Sequence, residues 1–119
     1  MARKHHELRV WQEAMGLVTA IYQATSTFPV DERWGLTGQM RRAAVSVPSN
    51  IAEGAGRSGA RDFCRFLMMA RGSLAELETQ VMIAQNLGYM GTDKSIDRCI
   101  DSVFAMLAGL IKSGQRTSL

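Results

Sequence analysis

Four stretches of the chain place apolar residues at three- and four-residue steps, the spacing of an α-helix with one buried face. They cover residues 8–25, 31–54, 59–87 and 93–113. No stretch alternates with the two-residue period of a strand, so we predict an all-α protein. Because the connections are short, we expect an antiparallel up-down-up-down four-helix bundle. Pro48 falls inside the second stretch, where it removes a backbone hydrogen bond and predicts a kink.

The size and composition of the chain fit one globular domain. It has 119 residues, of which 46% are hydrophobic. Residues 1–7 and 114–119 lie outside the apolar pattern, and we expect them to be flexible tails. The N-terminal residues lack the apolar stretch of a signal peptide, and no apolar run approaches the roughly 20 residues of a membrane span. These features predict a soluble, cytoplasmic protein with no membrane partner.

The net charge is only +3, but the predicted topology separates the charges. In such a bundle, the first and third helices begin at the end where the second and fourth helices finish. The cationic residues expected at that end are Arg3, Lys4, Arg9, Arg57, Arg61, Arg65, Lys112 and Arg116. The carboxylates expected there are Glu7, Glu13, Glu53 and Asp62. Positive groups are therefore in excess by four at this end, which we call the basic end; the opposite, acidic end carries an excess of carboxylates.

Two rows of like charge recur at four-residue steps, so each row follows one helix face. The arginine row is Arg57, Arg61 and Arg65, and the acidic row is Asp93, Asp97 and Asp101. Because the rows are expected at opposite ends, they cannot pair within one chain, and each can face solvent, a neighbouring subunit or a ligand. Guanidinium groups bind phosphates bidentately. We therefore hypothesise that the arginine row, Lys112 and Arg116 contact the phosphates of RNA or DNA.

The run from Gly54 to Gly59 matches the glycine pattern of a dinucleotide-binding turn. That turn requires a preceding strand within a βαβ unit, whereas a helix is predicted here, so we reject this interpretation. A weaker interpretation remains, in which free amides at the start of the third helix, beside Arg57 and Arg61, hold a phosphate.

The sequence contains no pattern typical of catalysis or metal binding. His5 and His6 are adjacent near the N-terminus, and no nucleophile has a histidine beside it in a predictable geometry. Cys64 and Cys99 fall on or near apolar helix faces, where we expect small core residues. Two cysteines are too few for a four-cysteine zinc site. We therefore predict that the protein is not an enzyme and has no catalytic residues, no metal and no cofactor.

A polar stripe runs beside the apolar row of the second helix and faces small residues of the third. Its members, with their expected partners on the third helix, are Gln39, Arg42, Ser46, Asn50, Glu53, Ser73 and Glu76. Counting back from the connection places Arg61 near Glu53, and Glu76 near Gln39 and Arg42. A solvated face and an active site are the alternatives. We favour a structural polar network that specifies helix register or a subunit interface.

The second helix also carries a family resemblance. Residues 35–54, and above all the run Ser-Val-Pro-Ser-Asn-Ile-Ala-Glu-Gly at 46–54, resemble the signature of a bacterial family of four-helix bundle proteins. The founding members are encoded in intervening sequences of 23S ribosomal RNA genes. With matches around Trp11, Phe28-Pro29 and 72–77, the resemblance covers about residues 8–90. It implies a bundle that assembles as a ring-like homopentamer, and it implies no catalytic residues.

The chain is also similar to the accessory bundle proteins of diversity-generating retroelements, which form basic pentameric barrels that bind nucleic acid and a reverse transcriptase. In a ring, five basic ends would share one rim and carry about +20 charges. Our leading hypothesis is therefore a non-enzymatic homo-oligomer that binds RNA or DNA through this rim. The alternative is a scaffold for another protein, with the arginine row buried between subunits.

Overall fold

The computed structural model describes the backbone of residues 3–118 and the side chains of residues 3–115. Over that range the chain forms four α-helices and two short 3-10 turns, and it contains no strand. The helices are α1 (Arg9–Thr25), α2 (Leu36–Ala55), α3 (Ala60–Asn86) and α4 (Lys94–Ser118). The 3-10 turns are Lys4–Glu7 and Val30–Glu32. The predicted all-α fold is confirmed.

The apolar rows of the four helices face one another and form a single core. Leu17, Met40, Leu74 and Leu107, one from each helix, have at most 1% of their surface exposed. Burying a side chain of this size contributes roughly 1.5–3 kcal/mol. Each helix packs against the next in sequence, and α1 also packs against α4, which closes the bundle.

Contacts between neighbouring helices follow a consistent order. In α2 and α3, Ser46 contacts Ser73, whereas the later Gly54 lies against the earlier Phe63 and Phe66. Positions thus advance along one helix as they go back along the other, the order that antiparallel neighbours would give. α2 continues as one helix through Pro48. The kink at this proline stays a prediction.

Side chains satisfy free amides at the starts of α2 and α4, and the start of α2 differs from our prediction. We expected α2 to begin near Asp31, but residues 30–32 form a 3-10 turn and the helix begins at Leu36. The Oε1 atom of Glu32 accepts a hydrogen bond from the backbone N–H of Leu36 at 3.0 Å, which stabilises the later start. At α4 the cap is Asp93, whose Oδ1 accepts bonds from the backbone N–H groups of Ser95 and Ile96.

Both expected tails contain regular structure. Residues 4–7 form a 3-10 turn because the rings of His5 and His6 pack against Trp11, with centroids 5.2 and 5.1 Å from the indole ring. At the other terminus, α4 continues to Ser118. In the part of the chain that the structure describes, no helix has both the length and the apolar character that a bilayer crossing requires.

Candidate functional site

The start of α3 and the end of α4 lie side by side. The Cys64 thiol donates a hydrogen bond to the carbonyl oxygen of Ile111 at 3.3 Å, and a Cβ added to Gly114 would lie 3.8 Å from the carbonyl oxygen of Ala60. The structure therefore brings the arginine row and Lys112 to the same end. The side chains of Lys4, Arg57, Arg61, Arg65 and Lys112 are all exposed there. The side chain of Arg116 lies outside the described residues.

Two arginines of the row share one aromatic ring. The guanidinium carbons of Arg57 and Arg65 lie 5.0 and 4.7 Å from the ring centroid of Phe66, within the range of cation–π attraction. The ring itself is buried, with 5% of the residue exposed. Arg57 lies in the turn before α3, not in the helix. In the sequence, the position of Phe66 directly after Arg65 is the one signal of this contact.

Each of these two arginines also has a carboxylate beside it. Arg57 pairs with Glu53 at 3.0 Å, and Arg65 pairs with Asp62 at 3.6 Å. All four side chains are about half exposed. Exposed pairs of this kind contribute only about 0.2–1 kcal/mol, so an incoming phosphate can displace the carboxylate.

The side chain of Arg61, the central member of the row, makes no hydrogen bond or ion pair within residues 3–115. We expected Arg61 to lie near Glu53, but the two side chains form no bond. Arg57 pairs with the Glu53 carboxylate instead. Among the described side chains of the row, Arg61 is thus the one whose donors are all available to a ligand.

A cleft of about 370 Å³ opens beside the row, between the 3-10 turn at the N-terminus and the α2–α3 connection. Its lining includes Lys4, Arg57, Gly59 and Phe63. Gly59 is the N-cap of α3, and no side chain caps the first-turn amides of this helix. Such amides carry partial positive charge and favour anions, so the helix start adds to the field of the two cations.

The predicted polar network forms only in part. Ser46 and Ser73 share a hydrogen bond with 2.8 Å between their Oγ atoms, and Asn50 Nδ2 donates to the Oγ atom of Ser46 at 3.0 Å and to its carbonyl oxygen at 2.9 Å. These three half-buried side chains join α2 to α3. Glu53 pairs with Arg57 and takes no part in this network. The other members, which are Gln39, Arg42 and Glu76, are exposed.

The acidic row has a structural explanation at its first member. The side chain of Ser95 and the backbone N–H of Ile96 donate to Asp93, and these bonds hold the pKa of its carboxyl group below the usual value. Asp97 and Asp101 are exposed on the following turns. The row therefore begins as a helix cap and continues as a solvated face of α4 in the single chain.

Both cysteines are free thiols. Cys64 is buried, and Cys99 is half-buried against α1, where its Sγ lies 3.7 Å from a carboxylate oxygen of Glu13. Burial, followed by the negative charge of Glu13, raises the pKa of the Cys99 thiol to about 11. In the described part of the chain, no three histidine, cysteine or acidic side chains come together in a way that could hold a metal ion.

One comparison with known proteins identifies a relationship over most of the chain. A family model described as 23S rRNA-intervening sequence protein matches residues 6–109. The matched range includes α1, α2, α3 and most of α4. No curated protein matches the chain.

Proposed function

Because the chain belongs to the 23S rRNA-intervening sequence protein family, we propose that it is a non-enzymatic, homo-oligomeric bundle that binds RNA or DNA phosphates through its basic end. The observation that carries the proposal is the set of exposed cationic side chains around the start of α3 and the end of α4. Arg61 is the central contact, because its donors are not used by any group of the chain that the structure describes. Such a protein would act in the cytoplasm.

The basic end is suited to backbone recognition more than to base recognition. Guanidinium and ammonium groups contact phosphates, which fix the position of a nucleic acid without reading its sequence. Base recognition by stacking requires exposed aromatic rings. Here Phe66 is buried under two arginines, and Trp11 is packed against the histidine pair. We therefore expect binding that depends strongly on salt and weakly on sequence.

Assembly of several copies would multiply this charge. The outer face of α3 carries exposed apolar side chains, namely Met68, Met69, Met82 and Ile83. Buried between neighbouring subunits, such a face would favour the homopentamer that the family resemblance implies. Five basic ends on one rim would carry about +20 charges, enough for binding that one basic end with +4 would not sustain.

The test is fluorescence anisotropy of a labelled single-stranded RNA, titrated with protein at low and high salt. The double variant Arg61→Gln/Lys112→Gln removes two exposed cations without breaking an ion pair. The matched control is Arg71→Gln/Arg98→Gln, which removes the same charge from exposed positions outside the basic end.

We expect the wild-type affinity to fall steeply with salt, and the logarithmic slope to decrease by about one for each phosphate contact that the test variant loses. The control should keep the wild-type slope. Binding that is absent at low salt, or equally weakened in both variants, would contradict the proposal.

The second candidate function is a protein-interaction scaffold in which the arginine row lies between subunits. The observation that favours it is the position of Arg65, which lies about one helical turn before Met68, where the exposed apolar face of α3 begins. The variant Arg61→Glu/Arg65→Glu separates the two functions. A smaller particle in light scattering would support the scaffold, whereas an unchanged oligomer that no longer binds RNA would support recognition of phosphates.

A further inference from the structure

A second, smaller cleft lies far from the basic end, between the last turn of α1 and the first turn of α2. Its volume is about 170 Å³, whereas a single water needs only about 10–15 Å³. Its polar lining consists of Thr25, Ser26, Arg33, Thr37 and Arg41. Two guanidinium groups and three hydroxyl groups therefore surround a space large enough for a small ligand.

Arg41 is held rigidly at this cleft. Its Nε atom donates to the hydroxyl oxygen of Thr25 at 2.9 Å, and its Nη2 atom donates to the carbonyl oxygen of Tyr22 at 3.2 Å. The guanidinium carbon also lies 4.5 Å from the centroid of the Tyr22 ring. A guanidinium group has five N–H donors, so three remain for a ligand after these two bonds. Because the group is already ordered, little side-chain entropy is lost when it binds.

The hydroxyl group of Thr37 is buried and has no hydrogen-bond partner in the part of the chain that the structure describes. The residue is 8% exposed and lines the cleft. Buried hydroxyl groups are nearly always hydrogen-bonded, because an unpaired one loses its water without compensation. Beside two arginines, this unused donor would be satisfied by an acceptor that comes from outside the chain.

Arg33 completes the set of donors. Its side chain is exposed, lines the cleft and has no partner within residues 3–115. The two oxygens of the neighbouring Glu32 carboxylate accept bonds from the backbone N–H of Leu36 and the hydroxyl of Tyr89, and neither oxygen pairs with Arg33 within the described residues. The cleft therefore presents two positive charges and contains no carboxylate among its lining residues.

We propose that this cleft binds one small tetrahedral oxyanion of the phosphate class, in which Arg33, Arg41 and the Thr37 hydroxyl each donate to a different oxygen. Three separate donor groups match the several oxygens of a phosphate, whereas a carboxylate has only two. The anion can be free phosphate or the phosphate group of a monoester, and the same contacts serve both. The site is separate from the basic end and does not depend on the function proposed above.

The experiment is isothermal titration calorimetry of the full chain with inorganic phosphate, phenyl phosphate and acetate at constant ionic strength. Thr37→Val replaces the hydroxyl with a methyl group of similar size, and Arg33→Gln removes the exposed guanidinium. Arg71→Gln and Arg98→Gln are the charge-matched controls, and Arg61→Gln reports on any phosphate that binds at the basic end. Thermal unfolding in a chloride buffer without phosphate checks that each variant is folded. The midpoint for Thr37→Val should be no lower than that of the wild type, because the substitution removes an unpaired buried hydroxyl.

We expect phosphate to bind the wild type and both controls alike, and the Kd to increase about tenfold or more in Thr37→Val and in Arg33→Gln. If phenyl phosphate binds more tightly than inorganic phosphate, the ligand of the cleft is a phosphate monoester. If the two bind equally, the ligand is free phosphate. The proposal is overturned if Thr37→Val binds phosphate like the wild type, or if acetate binds as tightly. Loss of binding in Arg61→Gln alone would place the anion at the basic end and also overturn it.

Discussion

Gly54 determines how closely α2 and α3 approach at the basic end. A Cβ built on it would lie 2.7 Å from the Cβ atom of Phe66 and 3.1 Å from a ring carbon of Phe63. The contact with Phe66 involves an atom fixed to the backbone of α3, so the two helices would have to separate. In the sequence this glycine is only the first residue of the glycine pattern at 54–59, because an approach between helices is not visible there.

We expect Gly54→Ala to lower the free energy of unfolding by roughly 1–3 kcal/mol. The overpacked contact outweighs the gain of about 0.5–1 kcal/mol that alanine brings inside a helix. Gly16→Ala is the control, because no atom lies within 4 Å of a Cβ at that exposed position of α1. It should raise stability by about 0.5–1 kcal/mol. Urea unfolding measures both, and a stable Gly54→Ala variant would contradict the tight contact.

At the scale of the elements, the start of α4 depends on one side chain. Asp93 accepts bonds from two backbone N–H groups and from the Ser95 hydroxyl. Asp93→Ala should therefore cost about 1 kcal/mol, within a range of 0.5–2. Asp101→Ala, on the exposed face of the same helix, should change stability by less than about 0.5 kcal/mol.

The pH dependence of this cap follows from the lowered pKa of Asp93. A carboxyl group with a lower pKa in the folded state stabilises the fold above its unfolded value, and this stabilisation is lost as the pH falls through the folded value. The stability difference between wild type and Asp93→Ala should thus shrink once the pH falls below the ordinary aspartate value of 3.8. Thermal unfolding between pH 2 and 7 checks it; a difference that persists at the acid limit would argue against the cap.

The pair Ser46 and Ser73 joins α2 to α3, and we interpret it as structural. Ser46→Ala leaves the Ser73 hydroxyl and the amide of Asn50 short of a partner, at a cost of roughly 1–3 kcal/mol. Adding Ser73→Ala should cost less than the sum of the single changes, because both polar groups are then absent. Ser49→Ala, on the exposed side of α2, should be nearly neutral. Additive losses in a double-mutant cycle would exclude the network.

The helices could be predicted from the sequence more fully than their ends. Apolar spacing identified all four, because burial of one face dominates their stability. The start of α2 was predicted five residues too early, since Asp31 and Glu32 are both capable of capping and only the fold shows which carboxylate reaches Leu36. Similarly, the four-residue spacing placed Arg57 on the same helix face as Arg61 and Arg65. In the structure Arg57 lies in a turn, where its guanidinium group pairs with the Glu53 carboxylate.

At the scale of the whole molecule, one hydrogen bond ties together the two connections at the acidic end. The hydroxyl of Tyr89, after α3, donates to Glu32 Oε2 before α2 at 2.9 Å, and the ring of Tyr89 packs 5.5 Å from that of Phe28. The backbone N–H of Leu36 and this hydroxyl lower the pKa of Glu32, and the same bond raises the pKa of Tyr89. No short sequence pattern predicts a contact between residues 57 positions apart.

Tyr89→Phe keeps the ring and removes this bond, so we expect a lower midpoint of thermal unfolding at neutral pH. Since the pKa of Glu32 is lowered, the contribution of the bond is present above the ordinary glutamate value of 4.5 and is lost as the pH falls through the folded value. The variant should therefore lose less stability in acid than the wild type does. Tyr22→Phe is the control. If both variants lowered the midpoint of thermal unfolding equally, the stabilising role of the Tyr89–Glu32 hydrogen bond would be contradicted.

The cysteines give the molecule a practical property. With a pKa of about 11, Cys99 holds roughly one thiolate in ten thousand at pH 7, and Cys64 is buried. The thiolate is the form of cysteine that attacks a maleimide, so both cysteines of the native chain should react slowly. A single cysteine introduced at the exposed Ser58 would then carry a fluorophore almost alone, and it would report at close range on whatever approaches that end of the bundle.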